Sequence, residues 1–169
     1  MAFLNPIRVL DKINLRKDFT VADFGSGSGG WVLPLAKRIK EGTIYAIDIQ
    51  GSPLSVLEKK AKEEELFNVK TIRADVEQGS QLPDGSCDLV LMTNLLFAVK
   101  DRKKVLKEAN KILKEGGHLL VVDWEKESPM KVANPISSNE VGLIADKIGL
   151  DLVKELPAGI YHWGLVFRK

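Results

Sequence analysis

Short runs of apolar and β-branched residues alternate along the chain with longer stretches in which apolar residues recur every three or four positions. This alternation predicts a largely parallel sheet flanked by helices. The strand-like runs cover residues 20–24, 43–48, 69–74, 87–93, 118–123, 150–156 and 160–167. The helical patterns cover a short segment at 5–13, then 31–40, 52–66, 102–115 and 138–149. Pro34 falls in a first helical turn, where a missing amide hydrogen costs nothing. Ser52-Pro53 reads as N-cap and first helical residue. Asp101 reads as the N-cap of the fourth helix, Gly116-Gly117 as its stop, and Ser137-x-x-Glu140 as a capping box for the fifth. The run 87–93 is largely apolar, as a strand covered on both faces would be. Pro157-Ala-Gly159 has the length of a hairpin connection, so the last strand should run antiparallel to its predecessor.

Composition narrows the class without naming a chemistry. The chain has 169 residues, 44 % hydrophobic and 28 % charged, the profile of one folded domain over 1–169 and not of a disordered chain. A formal charge of +2, from 25 basic and 23 acidic residues, gives no general attraction to nucleic acid or to anionic membrane. Cys87 is the one cysteine, which excludes a disulfide framework and a multi-thiolate metal site. No apolar run is long enough to cross a bilayer, and the first residues lack the pattern of a secretory signal. The expected setting is the reducing cytoplasm.

The chemistry concentrates between Val21 and Asp75. Glycines placed directly after a first strand let the backbone turn sharply and approach a ligand at a helix N-terminus. Gly25, Gly27 and Gly30 satisfy G-x-G-x-x-G, and Asp48 ends the second strand 23 residues after Gly25, placed to accept the hydroxyl hydrogens of a ribose. That pattern alone fits several adenosine cofactors. Asp23, two residues before the first glycine, separates them: its charge opposes a pyrophosphate on the loop and favours a ligand carrying an ammonium and a sulfonium. Neither Tyr45 nor Tyr161 is followed by a lysine four residues on, which also argues against a nicotinamide dehydrogenase.

On these residues the chain resembles the class I S-adenosylmethionine-dependent methyltransferases, of the ubiquinone/menaquinone-biosynthesis and small-molecule type. Val21-Ala-Asp-Phe-Gly-Ser-Gly-Ser-Gly29 is similar to their first motif, Ile44-Tyr-Ala-Ile-Asp48 to the segment whose acid holds the ribose, and Ala74-Asp75-Val76 to the segment beside the adenine. Leu82 to Asn94 and Leu113 to Asp123 are similar to the fourth- and fifth-strand motifs. The resemblance implies an α/β, Rossmann-like three-layer sandwich with strand order 3-2-1-4-5-7-6. It implies S-adenosyl-L-methionine as cofactor, with S-adenosyl-L-homocysteine as product. Asp23, Gly25, Ser26, Gly27, Asp48, Ile49, Asp75, Val76 and Asn94 are the implied cofactor contacts.

The acceptor side is less defined. Methyl transfer from a sulfonium is an in-line displacement, in which alignment does most of the work and a base is needed only where the acceptor must lose a proton. Ligands on such a sheet sit at the carboxyl ends of the parallel strands. This places Asp123, His162 and Tyr161 as candidates for catalytic groups, with His162 favoured by its titration range. His118, at the opposite end of its strand, reads as structural. No acid cluster points to a metal. Lys100, Lys103, Lys104, Lys107, Lys111 and Lys114 recur at helical spacing and read as the solvated face of an amphipathic helix, not as a nucleic-acid stripe. Residues 124–137 form the one loop long enough to act as a lid. So small a roof suits either a large small-molecule acceptor or a pocket completed by a second copy in a homodimer. Two other readings use the same glycine loop: a non-catalytic adenosine-cofactor-binding module that needs a partner chain, and an NAD-binding domain.

Overall fold

The computed structural model describes residues 4–169; the first three residues of the start read above lie outside the described residues. The elements run α1 (Pro6–Leu10), β1 (Thr20–Phe24), α2 (Val32–Ala36), β2 (Thr43–Asp48), α3 (Gly51–Glu63), β3 (Val69–Arg73), β4 (Cys87–Thr93), α4 (Arg102–Ile112), β5 (Leu113–Trp124), α5 (Ser138–Asp146), β6 (Asp151–Pro157) and β7 (His162–Arg168). The seven strands form one sheet in the order β3-β2-β1-β4-β5-β7-β6, parallel except for β7, which pairs antiparallel with both β5 and β6. The predicted order and the reversed last strand are both present.

Alternation along the strands divides the core into two layers. Val21, Leu89, Leu91, Leu120 and Val122 pack with Val9 and Leu10 of α1, Val32 and Leu35 of α2 and Leu57 of α3. Their neighbours Ala22, Phe24, Val90, Met92, Leu119 and Val121 pack against Val105, Leu106, Ala109 and Ile112 of α4 and Val141 and Ala145 of α5. The central strands are therefore apolar on both faces, and a polar residue inside one of them stands out. Asp23 on β1 and Asp123 on β5 are such residues.

Several element boundaries differ from the sequence reading. α3 begins at Gly51 with Gln50 as N-cap, so Ser52 does not cap it; the Gln50 N–H is taken by the Asp48 carboxylate at 2.9 Å. Pro53 still lies in the first turn. α4 stops at Ile112, and Leu113 is already extended (φ −68°, ψ 138°), opposite Cys87 at the start of a lengthened β5. The physical cause lies at both flanks. The Lys169 ammonium caps the carbonyls of Asn110 and Leu113, and Lys114 pairs with Asp88 at 2.9 Å. Gly116, at φ +75°, serves a kink within β5 and not a helix stop. α1 and α2 are each five residues, shorter than their patterns suggested. The capping box at Ser137 and Glu140 is present in both directions. The buried face of α4 turns its lysines outward, where Lys111 pairs with Glu108 at 2.7 Å.

The third glycine that packs closely is Gly29, not Gly30. Gly29 has φ +92°, and a Cβ there would lie 2.4 Å from Leu57 Cδ1; a Cβ on Gly30 meets nothing. Close packing of loop on α3 thus falls at G-x-G-x-G spacing. Gly29→Ala should destabilise the chain by about 1–3 kcal/mol through strain and overpacking, and Gly30→Ala should be near neutral. Urea titration of both variants checks this, and equal effects would mean that the loop does not pack as described.

Candidate functional site

The site forms where β1, β2, β4 and β5 end on one rim. After Phe24 the chain turns on Gly25 (φ +73°) and Gly27 (φ +53°). The N–H groups of Gly25 and Ser26 both donate to the Ile47 carbonyl, at 2.8 and 3.0 Å, which ties the turn to β2. Asp48 completes the tie. One carboxylate oxygen accepts from Gly27 N–H at 2.9 Å and the other from Gln50 N–H at 2.9 Å. Each oxygen retains a lone pair, so the same carboxylate can still accept hydroxyl hydrogens from a ligand.

Asp23 lies beneath this turn, fully buried, and neither carboxylate oxygen has a partner among the described residues. Burial, reinforced by the Asp48 charge, pushes its pKa up to about 8. Without a ligand the side chain is therefore mostly neutral at pH 7. Ser26 Oγ and Asn94 Oδ1, on the ends of β1 and β4, are also buried without partners among the described residues. Asn94 adopts φ +52°, and its N–H donates to Val122 O at 2.8 Å, so strain at the tip of β4 is held in place by β5. Unpartnered buried polar groups are rare and costly. Those of Asp23, Ser26 and Asn94 lie along one rim, and all are acceptors or hydroxyls that suit a donor-rich cation, while Asn110 Oδ1 stands apart on α4.

The other expected contacts take these positions. Asp75 accepts from Glu77 N–H at 2.9 Å, and its carbonyl takes the N–H groups of Gln78 and Gly79 at 2.9 and 3.0 Å, so its side chain organises a turn beyond β3. Val76 is buried, and Ile49 is 58 % exposed just past Asp48. Two residues escaped the sequence reading. Gly29 is described above. Leu95, directly after Asn94, packs so closely that a Cβ on Gly25 would lie 2.9 Å from its Cδ1. An apolar residue beyond a strand tip carries no sequence signal for that role.

On the acceptor side Asp123 is 1 % exposed and accepts from Leu96 N–H and Trp124 N–H, each at 2.8 Å. Burial raises its pKa, against the opposing pull of those amides. His162 is buried, its ring 4.0 Å from the Trp124 ring and tilted by 40°, and its Nε2 has no partner among the described residues. Burial lowers its pKa. Tyr161 is half-buried, and its carbonyl accepts from Glu125 N–H at 2.8 Å. The Trp163 indole donates to the carbonyls of Trp124 and Ile136, both at 3.1 Å, and so pins the two ends of the 124–137 loop together. Among the described residues no group of three or more acidic, histidine or cysteine side chains could hold a metal.

The raised Asp23 pKa has a definite consequence for stability. The folded chain holds a proton that the unfolded chain releases near pH 4, so stability present below that pH is lost as pH rises toward about 8. This group's contribution has a slope of up to about 1.4 kcal/mol per pH unit. Asp23→Asn should flatten the ligand-free stability profile between pH 5 and 8 (about the span of the shift), measured by denaturant unfolding. An unchanged slope would show that Asp23 is solvated or paired.

Comparison with known proteins agrees with this geometry. Residues 22–121 match the model of the methyltransferase domain family. A demethylmenaquinone methyltransferase of Geobacillus stearothermophilus is 34 % identical over 110 residues, which cover 64 % of this chain and 47 % of that protein. A demethylmenaquinone methyltransferase of Listeria innocua is 32 % identical over 112 residues, covering 66 % and 47 %. The matched region thus spans about half the length of these curated relatives. Among solved structures, a SAM-dependent methyltransferase from Aquifex aeolicus superposes with a TM-score of 0.89 at 29 % identity, covering 98 % of this chain and 90 % of that one. The YcgJ protein of Bacillus subtilis, at 19 % identity and a TM-score of 0.80 over 90 % of this chain and 70 % of that one, shares the fold. With that match over its sheet and glycine turn, the chain belongs to the methyltransferase domain family, in its class I, S-adenosylmethionine-dependent form.

Proposed function

We propose that the chain is one methyltransferase domain that passes the methyl group of S-adenosyl-L-methionine to a small-molecule acceptor. The observation that carries this reading is the buried Asp23 carboxylate, without a partner among the described residues, at the foot of the glycine turn beside Ser26 Oγ and Asn94 Oδ1. An ammonium offers three hydrogens and no acceptor, so the methionine end of the cofactor suits those groups. Asp48 would take the ribose hydroxyls, and Asp75 with Val76 and Ile49 would border the adenine. The cofactor supplies an electrophilic methyl on a sulfonium. The Asp48 carboxylate near the loop opposes the pyrophosphate of NAD, and an anion there cannot favour ionised Asp23 as an ammonium does.

The chain's own contribution on the acceptor side is a proton acceptor on an aromatic wall. His162, neutral at pH 7, stacks on Trp124, and its buried Nε2, unpartnered among the described residues, is the group that would take a proton from an acceptor hydroxyl once the ring turns to the rim. The names of the relatives support a quinone-type ring as that acceptor. The small roof over the rim fits such a large ring, or a second copy of the chain in a homodimer. Among the described residues no helix is long and apolar enough to cross a membrane, and the single cysteine supports a reducing, cytoplasmic setting.

The cofactor reading is tested by melting the chain with S-adenosylhomocysteine and with NAD. A ligand at a hundred times its Kd adds about 2.7 kcal/mol, a shift of roughly 5–10 °C for this size. The shift should come with the first compound alone, and Asp23→Asn should weaken that binding about 10- to 100-fold, the worth of a charged hydrogen bond. A shift with NAD alone would overturn the reading. For the base, His162→Gln should cut turnover on a quinol acceptor by about 100-fold or more with S-adenosylhomocysteine affinity unchanged. Because burial lowers the His162 pKa, the acid limb of the wild-type rate profile should fall below pH 6.5, the usual value. Full activity in the variant would remove the base.

A further inference from the structure

We infer that Asp123 is a positioning residue for the cofactor site, acting through the peptide backbone of residues 95–97 to set Leu95 against the glycine turn. The inference rests on the reading that this turn binds S-adenosylmethionine. Asp123 lies at the end of β5 with both oxygens committed inside the protein. Oδ2 accepts from Leu96 N–H and Oδ1 from Trp124 N–H, each at 2.8 Å, and the N–H groups of Leu95 and Phe97 also act on the carboxylate. A proton taken from a ligand here would compete with the amides around the carboxylate, and at 1 % exposure it offers no free face. It gathers the amides of one short loop instead.

That loop is fixed from three sides. Asn94 N–H donates to Val122 O at 2.8 Å, Asp123 holds Leu96, and the Arg102 guanidinium donates to Leu96 O at 3.0 Å while also reaching Asn134 O. So firm a clamp on four residues calls for something to be placed. What the loop presents is Leu95, whose Cδ1 lies 2.9 Å from where a Cβ on Gly25 would stand, and Asn94, whose Oδ1 is buried at the same rim without a partner among the described residues. Gly25 is therefore glycine for two reasons: its φ of +73° and the leucine wall against it. If the loop relaxed, Leu95 would shift into or away from the turn whose amide at Gly27 is tied to Asp48.

Asp123→Asn keeps the volume but turns an amide NH2 toward peptide N–H donors, so it breaks part of the clamp. Leu95→Ala removes the wall while leaving the carboxylate intact. We would measure S-adenosylhomocysteine Kd by calorimetry for wild type, both single variants and the double, with melting temperature, turnover and its pH profile alongside. The expected result is a loss of about 10-fold in affinity for each single variant and little further loss in the double, since both act on one contact. Turnover at saturating cofactor should stay within about 3-fold of wild type, and its acid limb should not move. Unchanged affinity in Leu95→Ala overturns the inference even if Asp123→Asn does not fold. A fall in turnover by about 100-fold or more, with a displaced acid limb and intact affinity, would make Asp123 a base and overturn it as well. No binding by the wild type would overturn the cofactor reading and this inference together, whereas wild-type binding with unaffected variants overturns this inference alone.

Discussion

A carboxylate buried in the middle of a packed sheet governs the rim of this molecule. Asp23 stands on the central strand, between residues that are apolar on both faces, and none of the described residues balances it. A full charge there would cost far more than a neutral acid, so without a ligand the group holds its proton. The same cost becomes a selection rule. A cation that enters the turn lets Asp23 give up its proton and gain a charged partner, and the charge of the neighbouring Asp48 favours the same sign of ligand. Stability is conceded at β1 in return for a site that discriminates by the sign of charge.

Three acids stand at strand ends on this rim, and their environments give them different work. Asp23 has no partner among the described residues. Asp48 is only half-buried and spends one lone pair per oxygen on Gly27 and Gln50, which shapes the turn and leaves capacity for hydroxyls. Asp123 is buried but surrounded by amides, so its charge is consumed in holding the loop after β4. Residue type and strand-end position are the same in all three cases. The hydrogen-bond partners decide the role, and those come from elements distant in sequence.

That difference explains what the sequence could tell. Strand positions were legible because burial on two faces writes itself as largely apolar runs such as 87–93 and 119–122, and the reversed β7 followed from the short 157–159 connection. The glycine turn with Asp48 was legible because backbone turning and a strand-end acid are local requirements. The end of α4 was not: Gly116-Gly117 looks like a helix stop, yet the register of Leu113 against Cys87 and the capping reach of Lys169 start β5 earlier. Gly29 was passed over in favour of Gly30 because the clash that demands glycine is with Leu57, far along the chain. Leu95 had no local mark at all, and Asp123 read equally well as a base or a brace.

The two halves of the rim are built on opposite principles, which bears on how such a domain changes acceptor without changing donor. The β1–β2 half is polar, rigid and over-determined, with the turn tied at Ile47 and Asp48 and its glycines committed by sterics. The β4–β5–β7 half is aromatic, with His162 on Trp124 and the Trp163 indole gripping both ends of the 124–137 loop. Between the grip points that loop bears little on the sheet, and Met130 is 58 % exposed. A substitution in the first half disturbs the backbone geometry that every acceptor shares. One in the 125–135 loop alters the shape of the acceptor side, while the Trp163 grip keeps the loop ends in place. Substrate range in this chain should therefore be set by residues 125–135, whereas Asp123 and Leu95, at the tips of β5 and β4, couple the acceptor side to the glycine turn.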